Sequence, residues 1–484
     1  MTAKIYSITN PKIKLEVLTN DEVLRIHAAT LDVLKNVGVR FPSKRALAIL
    51  EAQGAHIDWE KCIARIPSQL VEDALAKAPP VYSLAARHPD QDLQLDGNHV
   101  YLGTDGCGVE VLDLDSGELR RSSLRDVAEI ARIADCLPEI AFHWVAVSAQ
   151  DCPKESRSLH ELKAIWENST KHVQTESIYC ETEAAAAIEM AALLMGGREE
   201  LRKRPILSMM QCTASPLGQD GGSLDAALVA AEAGVPVGFM TMAACLTTAP
   251  ATLAGALVVG NAEVLGALTL IESAYPGSPF FYAAAQTSSD LRTGSYTGGG
   301  PEDFLFGAAT NHLADYYNLP LSMGSFATGS KQPDWQAGID NSLSTLMASA
   351  VMSDMLLGAG LLDGSRIWSY EQMLMDCEIY RLVGKLVAGI PVDEEALALD
   401  TIQVVGPGGN FLGQKHTLQH MRERWVPKLF DRRPYEVWLE KGDGPRDWAR
   451  SRAQEILATH EPEPLDKRLS QELSRIIAIR EHDD

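Results

Sequence analysis

The chain has 484 residues, of which 46% are hydrophobic and 22% charged, the composition of a globular protein long enough for a large core. With 43 Lys and Arg against 65 Asp and Glu, the net charge of −22 argues against binding to nucleic acid or an anionic membrane. The sequence shows no basic start followed by the apolar core of a secretion signal, and its eight cysteines include no CxxC pair. We therefore expect a cytoplasmic protein that binds no metal through its side chains.

The first 138 residues predict helices and a small antiparallel sheet. Three stretches between residues 19 and 78 combine helical spacing of apolar residues with helix start and stop signals. Short extended runs follow, at residues 81–85, 92–95 and 100–102. Residues 108–121 then show the pattern of a β-hairpin around an Asp-Ser-Gly turn. We predict that residues 1–138 form an N-terminal addition to the main domain.

From residue 140 onward, apolar runs alternate regularly with helical segments. The runs are AFHWVAVSA, HVQTES, ILSMMQCTA, VGFMTMAA, FFYAAAQ and LSMGSFA. The end of the 347–362 region and residues 367–370 bring the number of predicted strands to about eight. Eight strand–helix units favour a closed (β/α)8 TIM barrel over an open Rossmann sheet, because no GxGxxG follows an early strand. We assign residues 139–390 to the barrel and residues 391–484 to a C-terminal helical extension.

The most apolar stretch of the chain, residues 249–270, contains Asn261 and Glu263. Polar residues at these positions predict a buried helix of a soluble protein, not a membrane span. Residues 252–270 and 341–357 are rich in Ala, Leu and Met and offer more apolar surface than one barrel exterior needs. This excess predicts a homo-oligomer.

Polar residues at the predicted strand ends are candidates for chemistry, because barrel enzymes carry their active sites there. They are Ser148, Gln150, Glu176, Gln211, Thr213, Ser215, Gln286, Asp290, Ser325, Tyr370 and Glu371, joined by the aromatic Phe326 and by Asp105 in the Gly-rich turn LGTDGCG. Amides and hydroxyls dominate this set, and no Ser/His/Asp or Cys/His arrangement for nucleophilic catalysis is evident. Lys331 leaves open an aldolase-type alternative through a Schiff base.

Several segments taken together resemble the trimethylamine methyltransferase family. They are LGTDGCGVEVLD, SSLRDVAEIARIAD, TASPL, TGSKQPDWQAG, SYEQ and GPGGNFLGQKHTLQHMRERW. The similarity spans roughly residues 18–433. It implies a TIM-barrel enzyme without a tightly bound cofactor, which moves a methyl group from a methylated amine to the Co(I) corrinoid of a separate carrier protein.

One departure from the family pattern bears on the substrate. Archaeal members that use trimethylamine contain pyrrolysine near the barrel mouth, which would fall near residues 328–336, and this chain has only standard residues. The chain therefore resembles the branch that includes glycine betaine methyltransferase. A quaternary amine departs as a neutral leaving group without a general acid, so a site without a clear acid suits a small quaternary amine. The alternatives are a different methylamine donor, or a barrel that binds betaines without turnover.

The resemblance also implies roles for individual residues. Aromatic side chains would surround the cation, and the candidates are Tyr101, Phe326, Tyr370 and Phe411. Glu371, Asp105 and Gln211 are the candidate catalytic residues. Candidate substrate contacts also include Glu176 and Gln286, with Arg292 or His416 placed to hold the carboxylate of a betaine.

Overall fold

Eight parallel strands close into a barrel in the computed structural model, which describes residues 4–106, 108–296, 298–324 and 328–482. Each barrel strand pairs with the next in parallel, and the last pairs with the first through Leu356 and Leu102. The predicted (β/α)8 barrel is confirmed. The strands are β1 (His99–Thr104), β2 (Ile140–Trp144), β3 (His172–Thr175), β4 (Leu207–Cys212), β5 (Val237–Thr241), β6 (Phe280–Ala284), β7 (Leu321–Gly324) and β8 (Met355–Ala359).

Side chains of the barrel strands belong to two different cores. Phe142, Met210, Phe281 and Met355 belong to one apolar cluster that fills the barrel interior. Alternate residues of the same strands, such as Met209, join the larger core that lies under the helices. Because both faces of each strand are buried, the strands are nearly continuous apolar runs in the sequence.

A helix follows each barrel strand and covers the outside of the sheet. Local sequence sets many of the helix ends. Ser123 and Asp126 form a capping box at the start of the first helix, and Gly196 and Gly234 end the third and fourth in the left-handed conformation. The helices are α1 (Leu124–Cys136), α2 (Arg157–Asn168), α3 (Glu181–Met195), α4 (Gly221–Ala233), α5 (Leu253–Ala274), α6 (Pro301–Tyr317), α7 (Trp335–Val351) and α8 (Tyr370–Val387), with a short helix Arg198–Lys203 after α3.

Helix α5 contains the most apolar stretch of the chain. Among the described residues it is the one helix long and apolar enough to cross a membrane, and 78% of its most apolar window is buried inside the protein. It therefore packs as a core helix, as its sequence predicts. Because α5 is buried, it does not provide the exposed apolar surface that is one of the two reasons for predicting a homo-oligomer.

The N-terminal region covers the bottom of the barrel. A hairpin of Tyr82–Leu84 and Leu93–Leu95 places Leu84, Leu93 and Leu95 in the interior cluster. The backbone N–H of Gly97 donates to Asp354, just before β8, so the hairpin lies at the N-terminal ends of the strands. The other N-terminal elements are the strand Ile8–Thr9, the helices Asn20–Asn36, Lys44–Ala52 and Ser68–Lys77, the strands Val39–Arg40, His56–Asp58 and Ile63–Arg65, and the 3-10 turn Pro89–Gln91.

One of the eight predicted barrel strands is wrong, and one true barrel strand was not assigned to the barrel. Ile367–Ser369 lies outside the barrel, in a four-stranded sheet with Leu361–Leu362, Glu110–Leu112 and Leu119–Arg121. The first barrel strand is instead β1, which lies within the residues predicted as the N-terminal addition. The hairpin of this small sheet separates β1 from α1, so the regular strand–helix spacing starts only at β2. A further pair, Ala244–Cys245 and Thr287–Ser288, also lies beyond the barrel strands.

The C-terminal extension is helical, as predicted, and its last two helices return to the barrel. Pro445–Thr459 packs against α8 and α1, and Lys467–His482 packs against α3 and α2. Arg450 binds Glu371 of α8 at 2.9 Å, and Ser156 donates to Glu481 at 2.7 Å. Four shorter helices precede them, at Glu394–Leu397, Leu399–Val405, Lys415–His420 and Tyr435–Lys441.

Candidate active site

A cavity of about 310 Å³ lies at the carboxyl ends of the barrel strands. All eight strands or the residues directly after them contribute to its wall, which is where barrel enzymes bind their substrates. The lining residues are Asp105, Gly106, Trp144, Glu176, Cys212, Met240, Met242, Ala285, Tyr296, Gly324, Leu357, Gly358, Gly364 and Ser365. Met242 is 41% exposed, so the cavity opens to solvent at its side.

Two carboxyl groups face this cavity, and they differ in their surroundings. Asp105 accepts hydrogen bonds from Ser365 at 2.6 Å and from the backbone N–H of Gly106 at 2.9 Å. Burial nevertheless raises the pKa of Asp105 to about 6. Glu176 makes no hydrogen bond to a described residue, and burial together with the charge of Asp105 raises its pKa to about 8. The cavity without ligand therefore holds a protonated Glu176 at neutral pH.

The rest of the cavity wall is aromatic, apolar or sulfur-containing. Trp144 lies against Gly106, and its indole N–H finds no partner among the described residues. Tyr296 donates a hydrogen bond to the carbonyl of Ala285 at 3.3 Å. Burial and the neighbouring Glu176 raise the pKa of the Cys212 thiol far above its ordinary value, so this group stays neutral. No Lys, Arg or His belongs to the described wall.

Glu263 of α5 holds together the loop after β4. Its carboxylate accepts hydrogen bonds from Thr213 at 2.6 Å and from the backbone N–H of Leu217 at 2.8 Å. Ser215 and Thr241 add two more, at 2.9 and 2.8 Å. These bonds fix the TASPL segment beside the end of β5. The side chains of the predicted candidates Thr213 and Ser215 therefore hold the loop after β4 in place.

Of the predicted site residues that the structure describes, Asp105 and Glu176 line the cavity, and Gln286 and Gln211 lie close to it. Gln286 borders a small pocket that shares Tyr296 with the cavity, and its amide donates to the carbonyl of Ala256 at 2.8 Å. Gln211 sits between Met210 and Cys212 on β4 and faces away from the barrel interior. Its amide donates to the carbonyl of Ile178 at 3.1 Å.

Three further candidates lie away from the cavity because their side chains serve the fold. Tyr101 belongs to the interior cluster near the bottom of the barrel, where its hydroxyl accepts from the backbone N–H of Gln94. The Tyr370 hydroxyl is 3.3 Å from carboxylate oxygens of Asp126 and Glu129 on α1. Glu371 is bound by Arg450 and accepts from Ser369.

The predicted anchors for a substrate carboxylate are also absent from the described wall. Arg292 is 90% exposed and pairs with Asp290 at 3.1 Å. Phe411 and His416 belong to the C-terminal extension, where Phe411 is exposed and His416 contacts the carbonyl of Glu395. Lys331 is 71% exposed and pairs with Asp363, unlike the buried lysine that a Schiff base would require. Ser325 and Phe326 lie outside the described residues.

The sequence reasoning missed Trp144, Tyr296 and Met242. Trp144 lies inside the apolar run AFHWVAVSA, where nothing local distinguishes it from a core residue. Tyr296 lies in a glycine-rich loop without any local pattern. The sequence predicts a site without a clear acid, whereas the cavity wall holds two carboxyl groups, and burial raises the pKa of one of them, Glu176, to about 8.

This wall can hold a small organic cation. Aromatic faces and thioethers attract positive charge, and an ionised carboxylate can neutralise it. Within the described ranges, no group of three or more His, Cys, Asp or Glu is arranged to hold a metal ion. The absence of a bound metal stays a prediction.

A closed parallel barrel with such a cavity at its mouth defines the protein as a barrel-type enzyme. The sequence profile of the family described as Trimethylamine methyltransferase (MTTB) matches residues 1–483. The chain belongs to this family and is a methyltransferase. The predicted family resemblance is thus confirmed.

Relatives with different names are about equally similar to the chain. It is 35% identical over 462 residues to Trimethylamine methyltransferase MttB of Desulfitobacterium hafniense (strain DSM 10664 / DCB-2), covering 95% of this chain and 92% of that protein. It is 33% identical over 471 residues to Glycine betaine methyltransferase of Desulfitobacterium hafniense (strain Y51), covering 96% and 97%. The crystal structure of the Methanosarcina barkeri Monomethylamine Methyltransferase (MtmB) shares the fold, with a TM-score of 0.51, 10% identity and coverage of 91% and 93%.

Proposed function

We propose that this protein transfers a methyl group from a small quaternary amine, such as glycine betaine, to the Co(I) corrinoid of a separate carrier protein. The observation that carries the proposal is the cavity at the barrel mouth, which combines aromatic walls with two carboxyl groups and has no basic residue in its described wall. This combination suits a cation of a few heavy atoms. The proposed reaction is cytoplasmic, in keeping with the free cysteines of the described chain.

Trp144 and Tyr296 would bind the methylated ammonium group. A quaternary ammonium carries its charge on its methyl groups, which can lie against aromatic faces without losing hydrogen bonds to water. Each such contact contributes about 0.5–2 kcal/mol. Met240 and Met242 would complete the wall around the methyl groups with adaptable apolar contacts.

The protonation state of Glu176 would depend on the ligand. A cation in the cavity favours the ionised carboxylate, so binding would lower the pKa of Glu176 from its raised value. With glycine betaine, the protonated form of Glu176 can instead donate a hydrogen bond to the substrate carboxylate. This offers a betaine an anchor that requires no arginine.

The chain's contribution to the transfer is position and charge balance. The Co(I) corrinoid supplies the nucleophile for the methyl carbon. The bond between nitrogen and the methyl group breaks with both electrons staying on nitrogen, so a quaternary amine leaves neutral and needs no proton. Holding the donor in one orientation toward the open side of the cavity is the effect expected to contribute most. The exposure of Met242 marks that open side.

A donor without a carboxylate is the second candidate. It is favoured by one observation: no Lys, Arg or His in the described wall can pair with a substrate carboxylate. Trimethylamine is the corresponding family donor, and tetramethylammonium is its quaternary analogue. In this case Glu176 would be ionised in the complex.

The experiment is methyl transfer from a panel of donors to Co(I) cobalamin or a corrinoid protein, followed through the visible spectrum. The panel contains glycine betaine, proline betaine, carnitine, choline, tetramethylammonium and trimethylamine. Methylcobalamin formed from a quaternary amine, with trimethylamine slower, supports the proposal. Trimethylamine reacting as fast as every quaternary amine overturns it. Binding of a betaine in calorimetry without methyl transfer to any acceptor identifies a binding barrel instead.

A matched pair of ligands tests the cation pocket separately. Choline and 3,3-dimethylbutan-1-ol have nearly the same shape, but only choline is charged. Trp144→Leu should weaken choline binding by about 2- to 30-fold, the equivalent of roughly 0.5–2 kcal/mol, and affect the neutral alcohol less. The exposed Trp59, replaced in the same way, is the control. Equal loss for both ligands would exclude a cation–π contact at Trp144.

A further inference from the structure

The segment of residues 390–441, which we name the C-terminal arm, crosses the protein surface almost without burying itself. Its four short helices contain no buried residue, and Leu429 is the one buried residue of the whole segment, all of which is described. Sixteen large apolar side chains of the arm are exposed, among them Val404 at 75%, Leu412 at 84% and Leu418 at 70%. This is far more apolar exposure than a solvated loop needs.

The arm is held at both ends and is therefore not a free tail. At its start, the ammonium of Lys12 donates to the carbonyl of Ile390 at 2.6 Å. Near its end, the backbone N–H of Lys428 donates to Glu378 at 2.8 Å, and Arg433 pairs with Asp443 at 2.6 Å. The helices that follow the arm bury residues such as Ile456. Sixteen of the exposed large apolar residues are thus concentrated in one tethered segment of 52 residues.

An apolar groove lies beside the arm. Its volume is about 320 Å³, and α7, α8 and the end of the arm form its walls. Trp335, at the start of α7, lines the groove and is 77% exposed. Ile339, Met375, Ile379 and Phe430 line it as well. The chain therefore carries both an unburied apolar segment and an unfilled apolar groove.

Charge indicates which partner fits this surface. The arm has seven Lys and Arg against eight Asp and Glu, so it is nearly neutral on a chain of net charge −22. Two copies of so acidic a chain repel each other over most of their surface. The nearly neutral arm is a part of the surface that a second copy can approach with little repulsion. Arg422, Arg424 and Arg432 near its end can face the acidic remainder of the partner.

We propose that the arm and the groove form an interface between two copies of this chain, in which the arm of each copy covers the groove of the other. A two-fold arrangement makes the two contacts at once, because each copy presents both surfaces. Standard interfaces involve roughly 20–30 residues on each side, which the arm and groove together can supply. The predicted homo-oligomer would then form through the arm and the groove, and not through the buried helix α5.

The test is the mass of the full chain in solution by light scattering after gel filtration. The wild-type protein should have at least twice the chain mass of 52.6 kDa. The double variant Leu412→Asp/Leu418→Asp in the arm and the variant Ile339→Asp in the groove should each shift the mass toward the monomer. Val81→Asp, at an exposed apolar residue outside both surfaces, should leave the mass unchanged. Circular dichroism checks that the variants remain folded.

A monomeric wild-type protein overturns the proposal, even if the arm then binds a corrinoid carrier. An oligomer that survives both sets of substitutions overturns it as well. If the variants unfold, hydrogen exchange of the wild-type protein tests the interface instead. The amides of residues 390–441 should lose protection when dilution dissociates the oligomer, and unchanged protection would reject the interface.

Discussion

Gly106 lies so close to Trp144 that a Cβ atom on Gly106 would come within 2.3 Å of the indole ring. Only a residue without a side chain leaves room for Trp144 in the cavity wall. We expect Gly106→Ala to displace the indole and weaken tetramethylammonium binding by about 2- to 30-fold, the value of one aromatic contact. Calorimetry measures the affinity, and tryptophan fluorescence reports the displacement.

The control for this substitution is Gly338→Ala in α7, where an added Cβ meets no atom within 4 Å. This change should leave cation binding unaltered and stabilise the helix by up to about 1 kcal/mol. Unchanged binding in Gly106→Ala would show that Trp144 does not contact the ligand.

The second prediction concerns the pH dependence of cation binding. Tetramethylammonium does not titrate, so any dependence comes from the protein. Below pH 8 the cation must displace the proton of Glu176, and the dissociation constant should rise by up to roughly tenfold for each pH unit below 8. Glu176→Gln cannot ionise, and it should bind more weakly with a flat profile between pH 7 and 9, above the range in which Asp105 titrates. A wild-type profile that is flat in calorimetry would contradict this.

Other groups around Glu176 offer a matched variant. Asp105, Tyr179 and Cys212 are the titratable neighbours that interact with it electrostatically, and Asp105 is the one whose charge raises the pKa of Glu176. Asp105→Asn should therefore lower the pKa of Glu176 and move the binding profile to lower pH without removing it. A profile that disappears in Asp105→Asn would assign the titration to Asp105.

The same burial predicts that Glu176 destabilises the fold increasingly as pH rises from about 4.5 to 8. Its pKa in the folded state, about 8, lies above the ordinary value of 4.5, so the folded state holds a proton that the unfolded state has lost. Stability is then lost as pH rises from about 4.5 to 8, at about 1.4 kcal/mol per unit. Glu176→Gln should raise the melting temperature at pH 8 and change it little at pH 5. An equal effect at both pH values would refute the raised pKa.

Glu371 was a catalytic candidate, and its contacts predict a structural role. It is buried and held by Arg450 at 2.9 Å, which ties the helix Pro445–Thr459 to α8. Arg450→Ala removes the nearer of two cations beside this buried carboxylate, with Arg446 remaining at 3.9 Å, and should cost up to about 3 kcal/mol, at or below the value for a fully broken buried pair. Affinity for tetramethylammonium should stay the same in variants that remain folded. Loss of tetramethylammonium binding in Arg450→Ala, with an unchanged melting temperature, would instead support a role for Glu371 in the site.

The barrel could be predicted from the sequence because its strands are buried on both faces. Long apolar runs such as β4 and β5 alternate with helices, and that alternation fixes the architecture. The first strand could not be assigned because a hairpin separates it from α1. An extended run such as Ile367–Ser369 has the same local pattern as a barrel strand. Only pairing across the closed sheet distinguishes the two.

The candidate site could be predicted only in part. Asp105 and Glu176 follow strands and carry charge, so they have a local signal. Trp144 and Tyr296 have none, because an aromatic residue that faces a cavity resembles one that faces the core. Tyr370 and Glu371 follow a predicted strand, as site residues of a barrel enzyme do. In the structure, Tyr370 contacts α1 and Glu371 pairs with a C-terminal helix, so both lie away from the cavity. Which side of a strand end faces the barrel axis is decided by the register of all eight strands.

The hairpin under the barrel has a kinetic consequence for the proposed reaction. Leu84, Leu93 and Leu95 pack beneath Phe142 and Phe281, which seals the end of the barrel opposite the mouth. In the proposed reaction, donor, demethylated product and acceptor would therefore all use the mouth of the barrel. A carrier protein seated there would block exchange of the amine, so the donor would bind first and the demethylated amine would leave last. Steady-state kinetics should show an ordered ternary complex, with the carrier inhibiting at high concentration by trapping the product.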